Sequence, residues 1–244
     1  MKNVLITGAS TGIGRATAIA LAKHGFSLFI TITARSEAGL NKTKQLVEEV
    51  GGEAKVILAD LSDIGSVNQL IKTVKSETKS LQAIVNIAGI WHDADTVFAD
   101  TDFADFSQQT ILDTFAVGFT APTILVHGLL PLMSKGSQIV NLSGTFENGA
   151  KGWLPYYASK RALEDLTVGL SQELAEQGIG VNAVSPSDTA TESYAKFFPQ
   201  YLDESVEPEL VAQEITRFCQ PENKITGQVL VVKKDQEPDV YFHC

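Results

Sequence analysis

Short apolar runs alternate with segments of helical spacing from one end of the chain to the other. Val4-Leu5-Ile6 is apolar at consecutive positions and stops at Thr7-Gly8, the pattern of a strand buried on both faces. Over residues 12–24 the apolar side chains fall at Ile13, Ala16, Ala20 and Leu21, a helical spacing that Gly25 closes. Residues 26–33 are rich in β-branched and aromatic types and predict a second strand. A helix over about 36–50 follows, broken by Gly51-Gly52. The same reading predicts strands over 55–58, 83–85, 138–142, 179–184 and 229–232, and helices over 64–78, 105–133, 155–177 and 207–219.

Strands without a polar face, alternating with helices, require a parallel sheet covered on both sides. The expected fold class is therefore α/β: a single doubly wound, Rossmann-type domain over 1–244, with about seven parallel strands flanked by helices. No repeat or linker divides the chain, and a length of 244 residues suits one large domain.

Charge removes some functions. A net charge of −10 argues against a nucleic-acid or anionic-membrane partner. No apolar run is read as approaching the ~20 residues of a membrane span, and the first strand leaves no room for a signal peptide. Cys219 and Cys244 are not expected to pair, which fits a reducing, cytoplasmic setting. His24, His92, His127 and His243 lack metal-ligand spacing, so no metal is expected.

The first candidate chemistry is the turn Gly8-Ala9-Ser10-Thr11-Gly12-Ile13-Gly14, between a strand and a helix. There a helix N-terminus offers free N–H groups to a pyrophosphate, and glycines allow its close approach. Gly8-Ala9-Ser10-Thr11-Gly12 also matches the Gly-x-Ser-x-Gly elbow of α/β hydrolases, but the seven residues before it cannot supply the strands and loop an elbow needs. A second pattern is Tyr156 with Lys160 one helical turn on, so both face one site, where an ammonium favours the phenolate. The i+4 partner of Tyr157 is Arg161, which turns to a different face.

Thr7-Gly8-x-x-x-Gly12-x-Gly14 resembles the cofactor motif of the short-chain dehydrogenase/reductase family. Asn86-Ile87-Ala88-Gly89 is similar to its Asn-Asn-Ala-Gly segment, and Tyr156-Tyr157-Ala158-Ser159-Lys160 to its Tyr-x-x-x-Lys signature. Pro186 to Thr191 follows its Pro-Gly-x-x-x-Thr segment with Ser187 for Gly, and Ile225-Thr226-Gly227-Gln228 resembles the lead into its last strand. Asp60 looks like its adenine-contacting acid.

The resemblance implies an oxidoreductase that moves hydride between a nicotinamide and a carbonyl or secondary alcohol. Tyr156 would be the general acid or base, and Lys160 would also bond the nicotinamide ribose. Ser143 would polarise the substrate oxygen. It lies 13 residues before Tyr156, the family's usual separation, whereas motif register puts Gly144 in that slot; Ser143 is taken. The expected cofactor residues are Gly8, Ser10, Thr11, Gly12, Ile13, Gly14, Arg35, Ser36, Asp60, Leu61, Asn86, Ala88, Gly89, Tyr156, Lys160, Pro186, Thr189 and Thr191. Phe115 stands where the family has an Asn that holds a water between the catalytic Lys and solvent, which implies a re-routed proton path.

The second strand ends in Thr33-Ala34-Arg35-Ser36, with no acid for a ribose diol and an Arg whose fork of donors fits a 2′-phosphate. NADP(H) is thus the expected cofactor, with NAD(H) the alternative. Trp91, His92, Phe146, Trp153, Tyr194, Phe197 and Phe198 fall in loops at the expected carboxyl ends of the strands and suggest a small, apolar substrate. Residues 191–208 form the expected lid, acidic and without a basic cluster for a phosphopantetheine carrier. The resemblance also implies a homodimer or homotetramer built on the two long helices. A catalytically weakened NADP-binding regulatory or partner protein of the same fold is the alternative reading.

Overall fold

Each inner strand sends alternate side chains into two different apolar layers. In β1 (Lys2–Thr7), Val4 and Ile6 join one buried cluster and Leu5 the other. Ala83 and Val85 against Ile84 in β4 (Ala83–Asn86) repeat the split, as do Val140 and Leu142 against Ile139 in β5 (Gln138–Leu142). The computed structural model describes residues 2–32, 37–146 and 149–241. The first layer takes in α1 (Gly12–Lys23) through Ala18 and Leu21, α2 (Glu37–Glu49) through Leu40 and Val47, and α8 (Pro208–Cys219) through Val211, Ile215 and Phe218. The second takes in α3 (Ile64–Glu77) through Val67, Leu70 and Val74, and α5 (Ala121–Leu129) through Leu125 and Leu129. Each fully buried Leu or Val contributes about 1.5–3 kcal/mol on leaving water, so these two layers fix the sheet between its helices.

The sheet runs β3-β2-β1-β4-β5-β6-β7-β8, with β2 at Phe26–Ile32, β3 at Glu53–Leu58, β6 at Gly180–Pro186, β7 at Val229–Val232 and β8 at Asp239–Tyr241. The first seven strands in the chain pair in parallel, while β8 runs antiparallel to β7. The chain winds outward from β1 to β3, then restarts at β4 beside β1, where Thr7 sits in register with Asn86. Such a switch point opens a crevice at the carboxyl ends of the two strands.

The seven parallel strands are those expected, and among the described residues the three-residue β8, too short for a periodic signal, adds an antiparallel eighth by pairing with β7. Two expectations need correction. The helix expected over 105–133 is broken. It consists of a 3₁₀ turn (Phe103–Asp105), α4 (Gln108–Phe115), a π turn (Ala116–Thr120), α5 and a second 3₁₀ turn (Leu130–Leu132). Pro122 explains the π turn: in a regular helix its ring would strike the Gly118 carbonyl, and a wider turn relieves the clash. This stretch, Gln108–Leu132, is also long and apolar enough by length and composition to cross a membrane, contrary to the expectation that no run approaches that length. In the fold its Val117, Ala121, Leu125 and Leu129 belong to the second apolar layer.

Two remaining helices frame the crevice: α6 (Leu154–Glu173), which carries Tyr156 and Lys160, and α7 (Glu192–Phe197), which opens the segment over it. Gly118 lies where α6 crosses the π turn, and a Cβ there would stand 2.8 Å from Ser159 Oγ.

Candidate active site

The glycine turn is held in place by contacts that leave no room for a side chain. Thr7 Oγ1 accepts from the backbone N–H groups of Ile87 (3.1 Å) and Ala88 (3.3 Å), clamping the ends of β1 and β4 together. A Cβ on Gly8, whose φ is +71°, would lie 2.7 Å from Ala88 N, and one on Gly14 would lie 2.0 Å from the Gly8 carbonyl oxygen. Thr11 begins α1 without a side-chain cap bond, so the first N–H groups of the helix keep their capacity for an anion. Ser10 is buried, Ile13 packs on the first apolar layer, and Arg15 braces the turn from Nη2 to the Ser10 carbonyl (2.5 Å). Arg15 also pairs with Glu192 of α7 at 2.8 Å.

Around this cradle the fold gathers most of the other expected cofactor residues. Asp60, after β3, accepts from the backbone N–H and hydroxyl of Ser62 at 2.9 and 2.7 Å, and Leu61 is buried in the second layer. Asn86 donates to Asn141 Oδ1 at 2.8 Å, and Asn141 donates to Thr167 Oγ1 at 2.9 Å. The Asn86 Oδ1 atom is buried with no hydrogen-bond partner among the described residues. Pro186 closes β6, and Thr189 Oγ1 donates to the Ser187 carbonyl. Thr191 caps α7 by accepting from Tyr194 N at 3.1 Å, and its methyl would stand 2.8 Å from a Cβ on Gly12. Arg35 and Ser36, the expected 2′-phosphate residues, lie outside the described residues.

Tyr156 and Lys160 meet beside Gly89. A Cβ on Gly89 would lie 3.3 Å from Tyr156 Cε2 and 3.4 Å from Lys160 Nζ. The Lys160 ammonium is buried, donates to the Leu142 carbonyl at 2.7 Å, and stands 5.4 Å from the Tyr156 ring centre. Burial lowers its pKa to about 8, while the Glu164 carboxylate acts in the opposite sense. The phenol of Tyr156 differs from the expected depression: burial pushes it above its ordinary value.

Ser143 is close by in sequence terms but turned elsewhere. Its hydroxyl, expected to face a substrate oxygen, is buried and donates to Glu164 Oε1. Glu164 is itself buried and accepts from Arg161 at 2.7 Å through Oε2. Gly144 stands beside Phe146, with 3.3 Å from its would-be Cβ to the ring. Glu164 escaped the sequence reading, although its position four residues after Lys160 was a usable signal: a carboxylate on the same helical face.

Rings from four separate segments converge over Tyr156. Trp91, after β4, stacks near-parallel on Phe198 at 6.3 Å between ring centres, and Trp153 lies 6.4 Å from Trp91 and 6.0 Å from Phe198. Tyr156 touches this group at Trp153 (6.3 Å) and Phe146 on its other side (5.9 Å). Tyr194 packs on Phe198 and hydrogen-bonds Asp188, and burial together with that carboxylate raises its phenol. A separate surface depression, lined by Thr101, Phe103, Ala150, Gly152 and Leu154 among others, includes neither the glycine turn nor Tyr156.

The family described as short chain dehydrogenase matches residues 2–202, which span β1, the glycine turn, Tyr156, Lys160 and α7. The chain belongs to the short-chain dehydrogenase/reductase family. As a member it is an oxidoreductase, and its sheet is the Rossmann-like sheet of that family. It is 33% identical over 202 residues to the oxidoreductase YgfF of Escherichia coli, covering 80% of this chain and 79% of that one. It is 31% identical over 232 residues to a 3-oxoacyl-[acyl-carrier-protein] reductase of Synechocystis, covering 95% and 88%. A short chain dehydrogenase of Burkholderia cenocepacia, solved in complex with NADP, superposes with a TM-score of 0.85 at 28% identity, covering 95% of this chain and 96% of that one. Phe115 is the last residue of α4, half-buried directly before the π turn.

Proposed function

We propose that the chain is an NADP(H)-dependent reductase or dehydrogenase acting on the carbonyl or secondary alcohol of a small apolar substrate, with Tyr156 as general acid and base. One observation carries this reading: a phenol and a buried ammonium meet at the mouth of the β1/β4 crevice, beneath a roof of aromatic rings.

The residues fit a dinucleotide. Gly8, Gly12 and Gly14 leave a cradle that side chains would fill, α1 begins without a side-chain cap, and Asn86 keeps a buried acceptor without a partner among the described residues. The turn from Gly8 to Gly14 would hold the pyrophosphate. Asp60 and Leu61 would flank the adenine, and Asn86, Ala88, Gly89, Lys160, Pro186, Thr189 and Thr191 the nicotinamide half. Arg35 and Ser36 are assigned the 2′-phosphate on sequence grounds, supported by the NADP found in the Burkholderia structure. When bound, the reduced dinucleotide supplies the hydride, and the oxidised form takes it back in the reverse reaction.

As the carbonyl carbon gains the hydride, its π pair moves onto oxygen, and Tyr156 passes its phenolic proton to that oxygen. A phenol raised by burial is protonated at neutral pH and suits this direction. Lys160 holds positive charge beside the ring and steadies the phenolate left behind. The aromatic roof excludes water from the reacting oxygen. Ser143, its hydroxyl donating to Glu164, acts by holding that carboxylate near Lys160.

A second reading, an NADP-binding partner protein with weakened catalysis, is favoured by the same Ser143–Glu164 bond, because Gly144 offers no replacement hydroxyl. Oxidation of NADPH over a panel of ketones and aldehydes, with Tyr156→Phe as control, separates the two. The catalytic reading expects turnover that Tyr156→Phe lowers by about 100-fold or more. Binding of NADPH with no turnover of any carbonyl supports the partner protein, and equal affinity for NADH removes the cofactor preference.

A further inference from the structure

The aromatic roof has a composition and a placement that point to more than water exclusion. Trp91, Trp153 and Phe198 come from the loop after β4, the approach to α6 and the segment after α7, and their ring centres lie within 6.0–6.4 Å of one another. Trp153 continues the contact down to Tyr156 at 6.3 Å, and Phe146 closes the other edge at 5.9 Å. None of these five rings is fully buried, so each keeps a face beyond its neighbours. Rings that served only to fill the core would sit in the two apolar layers, and none of the five does.

The polar groups nearby are engaged in fastening the covering segment. Glu192 at the start of α7 pairs with Arg15, while Lys196 at its end donates to the Ala94 carbonyl at 2.6 Å. Phe198 follows directly, so these two ties deliver its ring onto Trp91 and Trp153. The rings above Tyr156 present flat π-faces and no formal charge. Such a surface rewards a planar ring by offset or edge-to-face contact, and the cations beside it are already engaged, Lys160 with the Leu142 carbonyl, Arg161 with Glu164 and Lys196 with the Ala94 carbonyl.

We propose that the substrate is a neutral carbonyl compound bearing a planar aromatic ring, an aryl ketone or aryl aldehyde. Its ring packs on the partly exposed cluster of Trp91, Trp153 and Phe198, and its carbonyl reaches Tyr156. This rests on the reading of Tyr156 as the proton donor, but it has a readout of its own. The chain contains two tryptophans, Trp91 and Trp153, and both belong to the proposed ring site, so intrinsic fluorescence reports its occupation whether or not hydride is transferred.

The test uses the full chain with NADPH and three probes of similar size: acetophenone, cyclohexyl methyl ketone and 4-carboxyacetophenone. An aromatic contact is worth up to about tenfold in affinity beyond area burial. Acetophenone is therefore expected to shift tryptophan emission at about tenfold lower concentration than the cyclohexyl ketone, and to be reduced with a correspondingly higher kcat/KM. The carboxylated probe is expected to bind at least as weakly as the cyclohexyl one. Trp153→Leu and Phe198→Leu, two independent variants, should each shrink the aryl-to-cyclohexyl ratio chiefly through KM for acetophenone. Equal or better use of the cyclohexyl ketone overturns the proposal, as does a ratio unmoved by both variants. Selective fluorescence binding of acetophenone without turnover of any probe upholds the ring site and overturns the reductase reading instead.

Discussion

Ser143 donates a hydrogen bond from its hydroxyl to the carboxylate of Glu164, one helical turn beyond Lys160 on α6. A hydroxyl has a single proton to donate, so this bond decides what Ser143 can do for a substrate oxygen. It also joins the end of β5 to the helix that carries both Tyr156 and Lys160.

Ser143→Ala is consequently expected to keep kcat within about tenfold of the parent. Removal of an oxyanion donor typically costs about 100- to 1,000-fold. Steady-state reduction of an accepted ketone distinguishes the two, and a loss in the higher range would return Ser143 to the substrate oxygen.

Glu164→Gln should act through Lys160. Burial lowers the ammonium to about 8 and the carboxylate holds it up against that fall. With the charge removed, the Lys160 pKa drops further. In the proposed mechanism the protonated lysine is the active form, so activity is lost as pH rises through its pKa, and the alkaline limb of kcat/KM moves to lower pH. A shift of about one unit is the expected size for a close opposite charge. Ser143→Ala, which leaves the carboxylate in place, should move that limb less; an unmoved limb in Glu164→Gln would make the residue a packing element only.

Gly12 and Thr191 should be coupled. Gly12→Ala costs roughly 1 kcal/mol for its positive φ, and its Cβ meets the Thr191 methyl at 2.8 Å. Thr191→Ser removes that methyl while retaining the oxygen that caps α7. Urea unfolding and NADPH titration of both single variants and the double should reveal a favourable coupling of about 1 kcal/mol. Strict additivity would mean that α7 yields freely to the new side chain.

Phe115→Asn is expected to raise turnover several-fold, by about tenfold at most, by restoring a side chain that can hold water near the lysine. The kcat and its solvent isotope effect check this. No change in either would mean that proton resupply already runs by another route.

The linear pattern of residues determined a great deal about this protein. Consecutive apolar positions at Val4-Leu5-Ile6 require burial on both faces, hence a parallel sheet between helix layers. The i, i+4 spacing of Tyr156 and Lys160 put both on one side of a helix, and the glycine spacing is the one the close approaches to Ala88, Thr191 and the Gly8 carbonyl demand. Such features are local: the period of a helix or strand and the space around a turn are encoded within a few residues.

Other features exist only once the chain is folded. The π turn answers a clash between Pro122 and a carbonyl one turn earlier, and β8 forms because β7 offers it an edge. Trp91, Trp153 and Phe198 are more than 40 residues apart along the chain in every pairing, and the sheet brings their loops to one rim. The Ser143 rotamer was decided by Glu164, 21 residues away, because a buried hydroxyl turns to the strongest acceptor within reach. Spacing determined which residues could share a face; packing and the satisfaction of buried polar groups decided which of them met.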